Sequence, residues 1–160
     1  MVDKRKLVEA LLAQLQKDLE VLNQAAVATY QGAIHADSKA EDQYDTRGLE
    51  ASYLAGAQAK RVAELEETIK TYQFIDLRAF GSQDKIAATA LVGLQYEDKL
   101  SHFLLMPKGG GIQIQFEGKT IQVITPQSPI GEVLLGKRLH DEFEVLIQRR
   151  FRDYEVVSVE

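Results

Sequence analysis

The chain has 160 residues, is 45% hydrophobic and 27% charged, contains no cysteine and carries a formal net charge of −5. That length holds one or two small domains, and the composition is ordinary for a soluble globular protein. The missing cysteines exclude a disulfide framework and a thiolate metal site, and the negative balance argues against stand-alone binding of duplex DNA.

The N-terminus, Met1-Val2-Asp3-Lys4-Arg5-Lys6, is charged, and no apolar run long enough for a signal peptide or membrane span follows it. A cytoplasmic protein with no membrane partner is expected. Residues 3–35 read as one long helix. Val8, Leu11, Leu15, Leu19, Leu22, Ala26 and Ala33 recur mostly by threes and fours. Ser38 and Glu41 then form an S-x-x-E capping box, with Asp37 and Ser38 in the turn or at the cap. A second helix follows from about Lys39 to about Tyr72. Its stripe is Ala51, Ala55, Ala59, Val62, Leu65, Ile69 and Tyr72. At ~1.5 Å per residue each helix is roughly 50 Å long, and near-equal lengths with a short turn favour an antiparallel hairpin.

The stripe is graded, with leucine and isoleucine near the base and alanine near the tip. Alanine allows close helix approach but buries little area, which makes a thin shaft. It is also the best helix former, a sufficient cause by itself. The tip is acidic. Residues 37–50 hold five acids and two bases, a net −3 of the total −5. Asp37, Glu41, Asp42 and Asp45 crowd there. Helix dipole and capping account for Glu41 and part of Asp42, but less well for Asp37 and Asp45. Such carboxylates do not hold Mg²⁺ tightly alone, since Mg²⁺ keeps water and shares ligands with a second site. Lending one or two of them to another molecule's metal is chemically sensible.

After Tyr72 the period changes. Phe74–Arg78 reads as a linker and Gly81-Ser82 as a turn. Strands are expected at 86–96, 101–106, 112–116, 119–124, 141–147 and 151–159. Ile112-Gln113-Ile114-Gln115-Phe116 alternates strictly, and Glu117-Gly118 makes a tight turn into the next strand. One short helix lies between strands, with Ser128 as N-cap, Pro129 in first position and Gly136 at its end. The fold class expected is α+β: a helical hairpin at 1–75, then a small antiparallel sheet domain with one short helix at 76–160.

Several chemistries drop out. No phosphate loop occurs, and Gly109-Gly110-Gly111 precedes a strand rather than a helix. His35, His102 and His140 show no metal-ligand spacing. No serine sits in a nucleophile elbow. Arg149, Arg150 and Arg152 could meet phosphate, but arginines at a strand turn are more often solvated.

Two stretches carry a resemblance. Ser128-Pro129-Ile130-Gly131-Glu132-Val133-Leu134-Leu135-Gly136-Lys137 is similar to the S-P-[IL]-x-x-x-L-[IL]-G-K signature of the Gre family of bacterial transcript-cleavage and elongation factors. Arg61-Val62-Ala63-Glu64-Leu65-Glu66 is similar to the R-[IV]-x-x-L-E of that family's second helix. The resemblance spans nearly the whole chain. It implies a coiled coil followed by an FKBP-like domain that docks on RNA polymerase, with Ser128, Pro129 and Ile130 in the docking face. It further implies that the coiled coil enters the secondary channel and brings Asp37, Glu41, Asp42 or Asp45 to the polymerase's catalytic Mg²⁺. The polymerase then cleaves its own backtracked transcript, so the factor is not an enzyme, holds no cofactor or metal stably, and meets nascent RNA only indirectly. The family's tip reads G-D-L-S-E-N-A-E-Y. Asp37 falls on its aspartate and Tyr44 on its tyrosine, Ala40 falls on its first glutamate, and Glu41 comes one residue late. Some relatives bind the polymerase and inhibit it instead. Two alternatives remain: a binding module whose sheet domain docks another partner, and a peptidyl-prolyl isomerase, disfavoured because fold does not imply function.

Overall fold

The computed structural model describes residues 1–37 and 47–160, and the chain divides into two compact units, Ala10–Gln73 and Met1–Glu9 with Phe74–Glu160. Helix α1 runs over Lys4–Asp37 and helix α2 over Arg47–Gln73. Asp3 starts α1. Its Oδ1 accepts hydrogen bonds from the Arg5 and Lys6 amides at 3.1 and 3.2 Å. This satisfies donors that a helix start leaves unpaired.

In the helical unit, burial fades along the shaft as the apolar grading leads one to expect. Leu11, Leu15, Ile69 and Tyr72 are buried. Leu19, Leu22, Val62 and Leu65 are half-buried, while Val21 and Val27 are exposed. Tyr72 is buried enough that desolvation pushes its hydroxyl pKa well above the usual tyrosine range. One stripe position differs from expectation. Ala59 is exposed and Gln58 is half-buried in its place. Positions 58, 62, 65, 69 and 72 alternate steps of four and three, the seam period of a coiled coil. Choosing Ala59 followed hydrophobicity where the helical period puts a polar side chain.

The sheet unit holds β1 (Leu91–Tyr96), β2 (Lys99–Leu105), β3 (Gln113–Phe116), β4 (Lys119–Ile124), helix α3 (Pro129–Leu134), β5 (Glu142–Ile147) and β6 (Arg150–Val159). They form one six-stranded sheet in the order β3-β4-β2-β1-β6-β5. The sheet is mostly antiparallel, but β2 and β4 pair in parallel, from His102↔Ile121 to Leu105↔Ile124. The other four pairings are antiparallel, as expected of this sheet. After β2 the chain turns through Gly109 and Gly111, both at positive φ, and lays β3 beyond the place that β4 then fills. The Glu117-Gly118 turn has φ of 48° and 76°, so both central residues are left-handed, as a two-residue hairpin requires.

The first expected strand, 86–96, begins only at Leu91. Thr89 stands at φ 73°, an unusual place for a β-branched residue. Its neighbours hold it there. The Thr89 amide donates to the Leu105 carbonyl at 2.7 Å, and its Oγ1 accepts from the Arg78 amide at 3.1 Å. Its carbonyl accepts from Lys4 Nζ at 3.1 Å. Lys4 also donates to the carbonyls of Arg78 and Glu160, and lies 4.9 Å from the centre of the Phe80 ring. Burial, partly offset by the Glu160 carboxylate, lowers the Lys4 pKa. These bonds group the first nine residues with the sheet.

One face of the sheet carries the main core, including Val92, Leu94, Phe103, Leu105, Phe143, Val145, Tyr154 and Val156, with Leu134 of α3 buried in it. The β5–β6 turn is less well matched to its residues. Gln148 and Arg149 take φ of 51° and 65°. Each costs about 1 kcal/mol against a residue at ease in that region. Gln148→Asn with Arg149→Gly should therefore raise the urea midpoint without changing the slope of the transition.

Candidate functional site

The segment Ser128–Lys137 is built by local chemistry. Ser128 is extended, at φ −72° and ψ 151°, and its Oγ accepts from the Gly131 amide at 3.1 Å while donating to the Thr125 carbonyl at 2.7 Å. The Glu132 amide donates to the Ser128 carbonyl at 2.9 Å. Pro129 has no amide proton to satisfy. A Cβ at Gly131 would overlap the Thr125 carbonyl oxygen, so α3 starts hard against the preceding loop. Gly136, at φ 80°, ends the segment, and its amide donates to the Ile86 carbonyl at 2.9 Å.

The bonds just described use the Gly131 and Glu132 amides, and the side chains of the segment divide between core and surface. Pro129 is exposed. Ile130 and Val133 are half-buried and pack on the core, Leu134 is fully buried, and Leu135 is 41% exposed. Pro129 and Leu135 are thus the solvent-facing apolar groups, and Ile130 divides between core and surface.

Of the acids singled out from sequence, Asp37 is the last residue of α1. Ser38, Glu41, Asp42 and Asp45 lie outside the described residues. Among the described residues no group of three or more His, Asp or Glu could hold a metal ion. His102 is half-buried on β2, where desolvation and the nearby Lys119 lower its pKa. His140 Nδ1 lies 3.6 Å from Glu155 Oε1. The arginine cluster does not act as a unit, since Arg149 sits in the β5–β6 turn and Arg152 lies over the Tyr96 ring at 5.5 Å. Sequence reasoning missed the outward face of β5–β6, where Leu146 and Phe151 are exposed side by side. The alternation of the two strands, set in register, would have located it.

These features define a two-unit α+β protein, with a helical unit and a mostly antiparallel sheet bearing one short capped helix. Among the described residues no helix is long and apolar enough to cross a membrane. No protein-family model matches the chain. Its curated relatives are transcription elongation factors named GreA. That of Syntrophus aciditrophicus is 27% identical over 165 residues, covering 99% of this chain and 96% of the relative. That of Thioalkalivibrio sulfidiphilus is 27% identical over 150 residues, covering 93% and 90%. That of Rickettsia typhi is 26% identical over 128 residues, covering 79% and 72%. Among solved structures, the GreA factor homolog Gfh1 of Thermus thermophilus matches at 20% identity over 93% of this chain and 94% of its own, with a TM-score of 0.38. GreA/GreB from Nitrosomonas europaea matches at 20% identity over 61% and 78%, also at 0.38. The resemblance to the Gre family read from the α3 signature is borne out by the sequence relatives.

Proposed function

We propose that this protein is a Gre-like factor of bacterial RNA polymerase. The sheet unit, read as FKBP-like, docks on the polymerase with the α3 segment in the contact. The helical unit enters the secondary channel, where it modulates elongation and stimulates cleavage of backtracked transcripts. The protein supplies position and charge, and the polymerase does the chemistry. What carries this reading is sequence similarity to GreA proteins along almost the whole chain, together with a signature segment in which Ser128 caps α3, Pro129 opens it and Gly136 takes a positive φ.

The test is a stalled, backtracked elongation complex with and without the protein, beside a binding titration with core polymerase. Binding with faster transcript shortening is the expected result. Binding without shortening would leave a channel-occupying regulator, which is the reading that Ala40 at the place of the family's first tip glutamate favours. No binding would defeat the proposal. Leu135→Asp tests the docking face. It should weaken polymerase binding by about tenfold or more, as loss of an exposed apolar anchor does. Circular dichroism and Tm should stay near wild type, because Leu135 is not in the core.

A further inference from the structure

The hairpin formed by β5 and β6 is segregated. Phe143, Val145 and Tyr154 point into the core. Strand alternation puts Glu142, Glu144 and Leu146 on the other face, where the register sets them opposite Glu155, Asp153 and Phe151. Two of these three cross-strand pairs are acid against acid, Glu142↔Glu155 and Glu144↔Asp153. Like charges directly opposite destabilise a sheet. The third pair is Leu146↔Phe151, exposed to 53% and 65%. Glu97, beyond the end of β1, lines the same shallow groove as the four acids. Among the described residues no lysine or arginine forms a salt bridge with Glu142, Glu144 or Asp153. His140 lies 3.6 Å from Glu155, but among the described residues Glu144 and Asp153 have no such partner, and a neutral pair at their position would be more stable.

We propose that this face is a docking surface for a basic protein segment, one bearing several Lys or Arg side chains around an apolar residue that covers Leu146 and Phe151. Charge decides the occupant. Nucleic acid and anionic lipid are repelled by the acids. A second copy of this chain, packed face to face about a two-fold axis, would set acid against acid. A lone metal ion does not fit, because these carboxylates do not form a metal-holding group. A basic protein surface is attracted by the acids and buries the apolar pair. The proposal rests on the Gre-like reading for the partner, which is RNA polymerase. It adds a contact on the side of the hairpin facing away from α3.

Glu144→Lys tests it in the full-length protein, with core RNA polymerase as the probe. The substitution turns the Glu144↔Asp153 pair from like to opposite charge, so Tm should hold or rise. Affinity should fall, by about tenfold at low salt, as reversal of a rim charge does. The drop should shrink as salt screens the surface. Leu146→Ser with Phe151→Ser should weaken binding with little salt dependence. If wild type binds and both variants bind equally well at every salt concentration, this surface is not a contact and the inference fails alone. If wild type does not bind at all, the Gre-like reading fails and takes the inference with it. If sedimentation shows a wild-type dimer that either variant dissolves, the occupant is a second copy and the proposal is wrong.

Discussion

Leu134→Ala should cost the sheet unit about 3 kcal/mol, while Leu135→Ala, one residue along, should cost less than about 0.5 kcal/mol. Both are leucines at the end of the same short helix, so propensity and chemistry are matched and only the environment differs. Leu134 is fully buried among Phe143, Val145 and their neighbours, whereas Leu135 is 41% exposed. Truncating Leu134 loses the transfer free energy of its methyl groups and leaves a cavity. The walls cannot close readily, because α3 is pinned at one end by Ser128 on the Thr125 carbonyl and at the other by the paired Ile86 bonds to Gly136 and Lys137. Urea unfolding followed by circular dichroism at a sheet-sensitive wavelength measures both. Equal costs for the two variants would mean that α3 is not seated as described. The contrast also calibrates the docking experiment, since a Leu135 variant that lost binding and stability together would say nothing about the partner.

What the sequence revealed and what it hid divide along the range of the interactions. The Glu117-Gly118 turn, the Ile112–Phe116 alternation and the Ser128-Pro129 helix start depend on neighbours within a few residues, and each was legible. The parallel pairing of β2 with β4 was not, because strand order is set by contacts distant in sequence. The short β1 has the same origin. Residues 86–90 are mostly apolar, yet Thr89 is held at positive φ by Lys4, Arg78 and Leu105, none of them a sequence neighbour. Gln58 in place of Ala59 is a smaller error of the same kind, since apolar character outweighed the helical period that burial follows. At the candidate site, the α3 signature was readable as a motif. The division of its side chains between core and surface needed the packing, and the outward face of β5–β6 needed the register.

Asp37→Asn with Glu41→Gln should abolish any effect of this protein on transcript cleavage while leaving polymerase affinity and Tm near wild type. The argument separates charge from shape. Asn and Gln keep the size of the acids and can still cap a helix, so a purely structural role survives the exchange at a cost of a few tenths of a kcal/mol. A carboxylate that reaches a partner's Mg²⁺ does not, because a neutral amide oxygen is a far weaker ligand for a hard dication and cannot balance its charge. The proposed tip carries three further candidates for comparison. Asp42→Asn with Asp45→Asn, in a D-x-x-D spacing, is the parallel experiment, and Ala40→Glu restores an acid where the Gre pattern has one. If the first pair is the reaching pair, its loss removes cleavage and the second pair's loss does not. If Ala40→Glu gains cleavage where wild type has none, the channel reading holds and the native tip is a regulator's. If neither double variant changes any polymerase activity and both still bind, the tip does not reach the metal. Its acids then serve the helix dipole and solubility, and the helical unit acts only by filling the channel.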